Sequence, residues 1–210
     1  MSELTGQVAL VTGAGRGFGR AIALRLAEEG AAVTVTARTR AQLDETATLI
    51  AAAGGRAHAV AADVTDRAQV ERVVTETRER FGGLSLLVNN AGVPDPFGPI
   101  WTVDPDAWWN AQAVHIRAPV LFMRASLAAM VAAKAGRVII VSAAAPRIPP
   151  LLVAQLAEGG RLVVPVGGPD EQQLARVRRA GESYETTFDT RCRYVNLLGR
   201  YGFGRTPPLA

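Results

Sequence analysis

Residues 12–19, Thr-Gly-Ala-Gly-Arg-Gly-Phe-Gly, are the stretch that decides the fold of this chain. They follow an apolar run at residues 8–11 and precede residues 20–26, which have helical character. Glycines let the backbone turn sharply and let a pyrophosphate approach the main chain, while the start of a helix offers N–H groups and the positive end of a dipole. This order of strand, glycine turn and helix predicts a phosphate-binding site.

Length and composition are those of a globular protein. The chain has 210 residues, of which 49% are hydrophobic and 20% are charged, enough to build one domain with a large core. Cys192 is the single cysteine, so an intramolecular disulfide is excluded. The two histidines, His58 and His115, are far apart in the sequence, and we expect no metal site.

The sequence shows no targeting signal and no uninterrupted apolar stretch of membrane-span length. Residues 1–13 lack both a basic segment and a long apolar segment, and the most apolar region, residues 120–135, contains Arg124 and Lys134. We therefore expect a cytoplasmic protein without a membrane partner.

The charge balance is mildly basic. There are 23 lysine and arginine residues against 19 aspartate and glutamate residues, a net charge of +4. The basic residues are spread over several predicted elements and are not interleaved with aromatic residues. This pattern is typical of a solvated surface and predicts no nucleic-acid partner.

Strand-like and helix-like segments alternate through the first two thirds of the chain. The predicted strands are residues 8–11, 32–36, 57–61, 84–88 and 137–141. The predicted helices run from residue 20 to Gly30, through residues 43–50 to Gly54, from a cap at Thr65 or Asp66 to Phe81, and over residues 106–135. Alternation at this spacing predicts an α/β fold with a doubly wound, parallel sheet.

Residues 1–142 resemble the short-chain dehydrogenase/reductases. The glycine turn matches that family's TGxxxGxG motif, Asp63-Val64 matches its adenine-contacting pair, and residues 89–92 match its NNAG motif. The resemblance implies a Rossmann-like sheet with strand order 3-2-1-4-5 and a dinucleotide cofactor. It assigns cofactor binding to Gly13, Arg16, Gly17, Phe18, Gly19, Arg38, Asp63, Val64, Asn89, Ala91 and Gly92.

The choice of nucleotide follows from charge at the end of the second strand. A carboxylate there would accept a hydrogen bond from the ribose 2′-OH and repel a 2′-phosphate. This chain has Ala37 followed by Arg38, and Arg16 lies within the glycine turn. Two guanidinium groups without an opposing carboxylate favour NADP as the cofactor.

The same resemblance implies an asparagine, a serine and a Tyr-x-x-x-Lys pair as the catalytic groups. In this chain His115 aligns with the asparagine, and Ala143 aligns with the serine. Lys134 is the only lysine, and none of the three tyrosines has a lysine four residues later. The family's usual proton transfer is not expected, and His115 is the one candidate acid–base residue.

A second resemblance begins near residue 141 and extends to about residue 203. The segments SAAAPRIPP (142–150), GGRLVVPVG (159–167) and YVNLLG (194–199) resemble the C-terminal part of protein-L-isoaspartate O-methyltransferase. The acidic, glycine-rich S-adenosylmethionine loop of that family is missing, so this cofactor is not expected. The resemblance implies a C-terminal edge of mixed strand direction, with an overall strand order near 3-2-1-4-5-7-6.

These resemblances predict one Rossmann-like domain over residues 1–210. Residues 1–142 form the dinucleotide-binding half, residues 143–203 the methyltransferase-like half, and residues 204–210 a tail. In the second half we predict a helix over residues 149–158 and strands over residues 161–166, 174–179 and 193–198.

Four functional hypotheses remain at this point. The first is an NADP(H)-binding protein without the usual hydride transfer, and the second is an oxidoreductase that uses His115. The third is a natural or engineered Rossmann chimera without activity, and the fourth is an S-adenosylmethionine-dependent methyltransferase remnant. Substrate and assembly are open, and a homo-oligomer is compatible with the sequence.

Overall fold

A computed structural model describes residues 3–93, 96, 99, 101–141, 147–148, 150–156, 158–168 and 170–192. The chain divides into two compact units, Met1–Val141 and Ser142–Ala210. That boundary lies one residue before the predicted one between the two halves. The organisation of the whole chain as one domain stays a prediction.

Five parallel strands form the sheet of the first unit. They are β1 (Val8–Thr12), β2 (Ala32–Ala37), β3 (Arg56–Ala61), β4 (Leu86–Asn89) and β5 (Arg137–Ile140). Their order is β3-β2-β1-β4-β5, which confirms the predicted topology. In the centre, Leu10 of β1 is in register with Thr34 of β2 and Leu87 of β4.

Helices connect these strands, as crossovers between parallel strands require. They are α1 (Gly17–Glu28), α2 (Arg40–Ala52), α3 (Arg67–Phe81), α4 (Pro105–Gln112) and α5 (Ala118–Ala132). Of the two predicted caps of α3, Thr65 and Asp66, the structure uses Asp66, whose side chain accepts a hydrogen bond of 2.9 Å from the backbone N–H of Gln69. The helix ends at Gly82 with a φ of 80°, which is a glycine-favouring conformation.

The core lies on both faces of this sheet. All five residues of β1 are buried, and successive side chains point to opposite faces. Ala9 and Val11 belong to one cluster with Leu43 of α2, whereas Leu10 belongs to a second cluster with Phe122 of α5. Burial on both faces explains why β1 begins with four consecutive apolar residues, without polar alternation.

A π-helical segment, Ala113–Arg117, joins α4 to α5. The sequence predicts an uninterrupted helix here and contains no signal for the π turn. The continuous helical region Pro105–Ala132 is long and apolar enough to cross a membrane by length and composition, a test that core helices of soluble proteins also pass. Its α5 part buries Ala118, Phe122 and Met130 in the core. The expected absence of a membrane partner stays a prediction.

The second unit contains a short helix and an antiparallel sheet. The helix α6 spans Pro150–Ala154, and the strands are β6 (Arg161–Gly167), β7 (Gln172–Ala180) and β8 (Ser183–Cys192) in the order β6-β7-β8. The prediction of antiparallel strands near the C-terminus is confirmed. The predicted strand over residues 193–198 lies outside the described residues, and β8 was not predicted.

The predicted mixed edge is wrong in one respect. Among the described strands, β6, β7 and β8 pair only with one another and not with the five-stranded sheet. The physical reason is local pairing: Gly181, with a φ of 62°, and Glu182 are the only residues between β7 and β8, so the two strands form a tight hairpin. Such pairing satisfies the backbone of β7 on both sides, since β6 covers its other edge.

Candidate nucleotide site

A cleft of about 880 Å³ opens at the carboxyl ends of the parallel strands in the first unit. Ligands of open α/β sheets bind at this end of the strands. The lining residues come from the glycine turn, the end of β2, the start of α2, the loops after β3 and β4, and the region of α4 and the π-helical segment. They are Gly13, Gly15, Arg16, Gly17, Phe18, Gly19, Ala37, Arg38, Thr39, Gln42, Ala62, Asp63, Val64, Thr65, Asn90, Ala91, Gly92, Val93, Asn110, Ala113 and Val114.

Close packing fixes two glycines of the turn. Gly13 has a φ of +65°, and a Cβ at this position would lie 2.9 Å from Cα of Ala91. A Cβ on Gly19 would lie 2.2 Å from the carbonyl oxygen of Gly13. The turn therefore packs directly against α1 and against the loop after β4, and neither position has room for a side chain.

Arg20 binds the backbone of the glycine turn. Its Nη2 and Nε donate to the carbonyl oxygen of Gly15 at 2.6 and 3.1 Å, and its Nη1 and Nη2 donate to the carboxylate of Glu45 at 2.9 and 2.7 Å. The hydrogen bond from Arg20 and its positive charge lower the pKa of Glu45. Thr46 contributes a further contact, because its Oγ1 donates to the carbonyl oxygen of Ala14 at 3.0 Å.

The start of α1 faces the cleft without a competing anion. No side chain caps the helix at Arg16, and its first turn contains no acidic residue. The N-terminus of a helix with these properties attracts a phosphate through its N–H groups and dipole. The geometry expected for a pyrophosphate site is therefore present.

Arg16 and Arg38 both line the cleft with exposed side chains. Neither guanidinium forms an ion pair with a described residue, in contrast to Arg20 and Arg40, which pair with Glu45 and Asp44. Ala37, at the end of β2, leaves no carboxylate at this strand end. The cleft thus has two cations that can take an anionic ligand.

Hydrogen bonds between neighbouring residues shape the loop after β3. Oδ1 of Asp63 accepts from the backbone N–H of Thr65 at 2.8 Å and from its Oγ1 at 2.7 Å. The backbone N–H of Asp63 donates to Oε1 of Gln69 at 2.9 Å. Val64 is buried against the core. One carboxylate oxygen of Asp63 is thus committed to shaping the turn.

Thr12 and Asn90 connect the glycine turn to the loop after β4. Oγ1 of Thr12 accepts from the backbone N–H groups of Asn90 and Ala91 at 2.9 and 3.0 Å. Nδ2 of Asn90 donates to the carbonyl oxygen of Thr12 at 2.9 Å. Neither residue was predicted as a site residue. The signal was available, because Thr12 ends β1 and Asn90 follows β4, and these two strands are neighbours in the sheet.

The predicted contact of Asn89 with a cofactor stays a prediction. Asn89 is the last residue of β4, it is only 4% exposed, and it does not line the cleft. Asn90 lines the cleft instead. The other predicted cofactor-binding residues all line the cleft, whereas their contact with a cofactor stays a prediction.

His115 lies in the π-helical segment and is half-buried. Its Nε2 accepts a hydrogen bond of 3.1 Å from the backbone N–H of Val93. Nε2 therefore carries a lone pair, and it is already used by the protein. Ala113 and Val114 line the cleft, but His115 does not.

Two remaining expectations concern the catalytic serine position and metals. Ser142 and Ala143 lie outside the described residues. Within the part of the chain that the structure describes, no group of three or more His, Cys, Asp or Glu side chains could hold a metal ion.

Comparison with known families agrees with this fold. The model of the short chain dehydrogenase family matches residues 7–154, which is more than half of the chain. The chain therefore belongs to the short chain dehydrogenase family. A second model, that of protein-L-isoaspartate(D-aspartate) O-methyltransferase, matches residues 132–202, so both sequence resemblances are confirmed.

Curated relatives match about two thirds of this chain. A short chain dehydrogenase of Pseudocercospora fijiensis is 37% identical over 142 residues, which cover 67% of this chain and 46% of the relative. Galactitol 2-dehydrogenase of Agrobacterium fabrum is 37% identical over 148 residues, covering 69% of this chain and 56% of the relative. The chain thus spans about half the length of the curated relatives it matches.

Solved structures agree with the fold. A metagenomic short-chain oxidoreductase in complex with NADP is 42% identical, with a TM-score of 0.65, covering 70% of this chain and 66% of that chain. An NAD⁺-bound xylitol dehydrogenase is 30% identical, with a TM-score of 0.65, covering 67% of this chain and 54% of that chain. Both similarities support a Rossmann protein of the NAD(P)-binding type.

Proposed function

We propose that this protein binds NADP(H) in the cleft of the first unit and does not carry out the hydride transfer typical of its family. The observation that carries the proposal is the pair of exposed arginines, Arg16 and Arg38, in a cleft that the glycine turn also lines. A 2′-phosphate between two guanidinium groups forms charge-assisted, bidentate hydrogen bonds. The similar oxidoreductase with bound NADP supports this choice.

The loss of the usual chemistry is inferred from the residues after β5. Residues 141–160 contain neither tyrosine nor lysine, and Ala143 stands at the position aligned with the serine. Without a tyrosine–lysine pair, the proton exchange with a substrate oxygen that is usual for the family is not available there. We expect no oxidation of NADPH with a panel of aldehydes and ketones.

The alternative of an oxidoreductase using His115 has less support. A general acid must present a proton towards the substrate. Nε2 of His115 instead accepts from Val93, and the imidazole does not line the cleft. We also propose a cytoplasmic location. This part of the proposal rests on the sequence pattern alone.

Titration of the full chain with NADPH, NADH and S-adenosylmethionine tests the proposal. We expect NADPH to bind most tightly. Arg16→Gln and Arg38→Gln should each weaken NADPH binding about tenfold, which corresponds to loss of one charge-assisted hydrogen bond, and change NADH binding by less than about threefold.

Arg80→Gln is the matched control, because Arg80 is exposed and lies outside the cleft lining. This variant removes the same charge and should leave NADPH affinity unchanged. Tighter binding of S-adenosylmethionine, no NADPH binding, or equal losses for NADPH and NADH in the cleft variants would contradict the proposal. Turnover of NADPH with a carbonyl compound would contradict its second part.

A further inference from the structure

The π-helical segment Ala113–Arg117 interrupts the helix between α4 and α5 beside the cleft. A π turn is closed by hydrogen bonds between residues five apart, one more than in an α-helix, and such turns occur frequently at functional sites. Here two side chains of one π turn reach two different loops of the cleft. His115 contacts the loop after β4, and Arg117 contacts the loop after β3.

His115 fixes the loop after β4 through one backbone group. Val93 lines the cleft, and its N–H donates to Nε2 of His115 at 3.1 Å. The imidazole also lies against Gly92, because a Cβ on Gly92 would be 3.6 Å from Nε2. Thr12 holds the beginning of the same loop at Asn90 and Ala91, and His115 holds it two residues further on, at Val93.

Arg117 fixes the loop after β3. Its Nη1 donates to the carbonyl oxygen of Thr65, which lines the cleft next to Asp63 and Val64. The pKa of Asp66 is lowered, first by the hydrogen bond from the backbone of Gln69 and also by the positive charge of Arg117. Arg117 is thus close to the start of α3 as well as to the loop.

We infer that His115 and Arg117 are positioning residues that hold the loops after β4 and β3 in the conformation that binds the dinucleotide. The inference rests on the proposed function. Its chemical requirement at position 115 is a hydrogen-bond acceptor for the N–H of Val93, and at position 117 a donor for the carbonyl oxygen of Thr65. The imidazole at position 115 is then kept for loop geometry and not for proton transfer.

Two pairs of variants test the inference in the full chain. Glutamine has an amide oxygen about as far along its side chain as Nε2 of histidine, so His115→Gln keeps an acceptor, whereas His115→Phe keeps a ring without one. Lysine keeps a donor, so Arg117→Lys is matched against Arg117→Met. The readouts are the NADPH dissociation constant, the hydrogen-exchange rate of the Val93 amide without ligand, and the unfolding midpoint.

We expect His115→Phe to weaken NADPH binding about tenfold, because an unsatisfied N–H remains in the loop. The Val93 amide should exchange faster in this variant. His115→Gln should restore both values to within about threefold of the wild type. Arg117→Met should weaken binding about threefold to tenfold, and Arg117→Lys should recover most of that loss.

Failure of the inference differs from failure of the proposed function. If the wild type does not bind NADPH, both are overturned. If the wild type binds NADPH and His115→Phe binds it equally well, or if Val93 exchange is unchanged, only the inference is overturned. The inference alone is also overturned if His115→Gln does not restore NADPH affinity and the exchange rate of the Val93 amide. Should His115→Phe not fold, the exposed Arg117 pair decides alone: equal NADPH affinity of Arg117→Met and the wild type overturns the inference.

Discussion

At the scale of single residues, the glycines of the turn serve different purposes. Gly17 has a φ of +56°, and a Cβ there would meet no atom within 4 Å, so backbone conformation selects this glycine. Gly19 is a case of space, because the carbonyl oxygen of Gly13 occupies the position that a Cβ would need. The sequence motif has glycine at both positions, but the physical reason differs: backbone conformation at Gly17 and lack of space at Gly19.

Gly19→Ala should therefore disturb both stability and binding. The added methyl group would force the turn away from α1, at a cost of about 1–3 kcal/mol, and NADPH binding should weaken about tenfold or more as the turn moves. Urea unfolding and NADPH titration measure the two effects.

Gly83→Ala provides the control for the same substitution. Gly83 has no positive φ between +20° and +160°, and no atom would lie within 4 Å of its Cβ. This variant should match the wild type in both measurements. If Gly19→Ala behaved like Gly83→Ala, the packing explanation of the turn would be wrong.

At the same scale, a motif does not say which of two adjacent side chains lines the cleft. The NNAG motif predicts Asn89 as a cofactor-binding residue, yet Asn89 ends a buried strand and Asn90 lines the cleft. A sequence motif identifies the segment that contributes to a site. Which of two adjacent side chains points into it depends on where the strand ends.

At the scale of elements, the helical region after β4 combines a predictable helix with an unpredicted interruption. Apolar residues occur on all sides of α5, so the sequence does not define one buried face. The structure buries Ala118, Phe122, Ser126 and Met130, which recur every four residues. This face of α5 is buried because it packs against α3 and against the face of the sheet that contains Leu10 and Leu87.

Phe122→Ala tests that packing. Phe122 is fully buried in the cluster with Leu10 and Leu87, so its truncation leaves a cavity and should lower the free energy of unfolding by about 3–5 kcal/mol.

The comparison in the same helix is Val131→Ala, because Val131 is 72% exposed. That variant should stay within about 0.5 kcal/mol of the wild type. Denaturant unfolding of both variants measures the difference, and equal losses would show that α5 packs through another face.

The π turn and the hairpin β7–β8 mark the limits of prediction for elements. A π turn has no amino-acid composition of its own, and only the backbone geometry of Ala113–Arg117 reveals it. Strand β8, Ser183–Cys192, is rich in polar residues and carries few of the signals of a buried strand. Its backbone pairing with β7 through the two-residue turn at Gly181 stabilises it.

At the scale of the whole molecule, the nucleotide site belongs to one of the two compact units. Every residue that lines the cleft lies between Gly13 and Val114, within the unit Met1–Val141. The residues that hold those lining residues, such as Thr12, Arg20 and His115, also belong to this unit.

A fragment of residues 1–141 should therefore bind NADPH within about threefold of the affinity of the full chain, since threefold is less than one ordinary hydrogen bond. Circular dichroism establishes that the fragment is folded, and titration measures its affinity. Arg38→Gln in the fragment should reproduce the loss seen in the full chain. A folded fragment that no longer binds NADPH would show that residues after 141 contribute to the site.

The order of segments along the chain determined most of the first unit. Apolar strands, helices capped at Asp66 and ended at Gly82, and the glycine turn are local features, and parallel pairing in the order 3-2-1-4-5 follows from them together with the family resemblance. Only the tertiary structure decided three other matters: the burial of Asn89, the use of Nε2 of His115 by Val93, and the separate pairing of β6, β7 and β8. The reason is physical. Local signals depend on residues a few positions apart, whereas these three features depend on contacts between atoms of different elements, whose positions no short stretch of sequence contains.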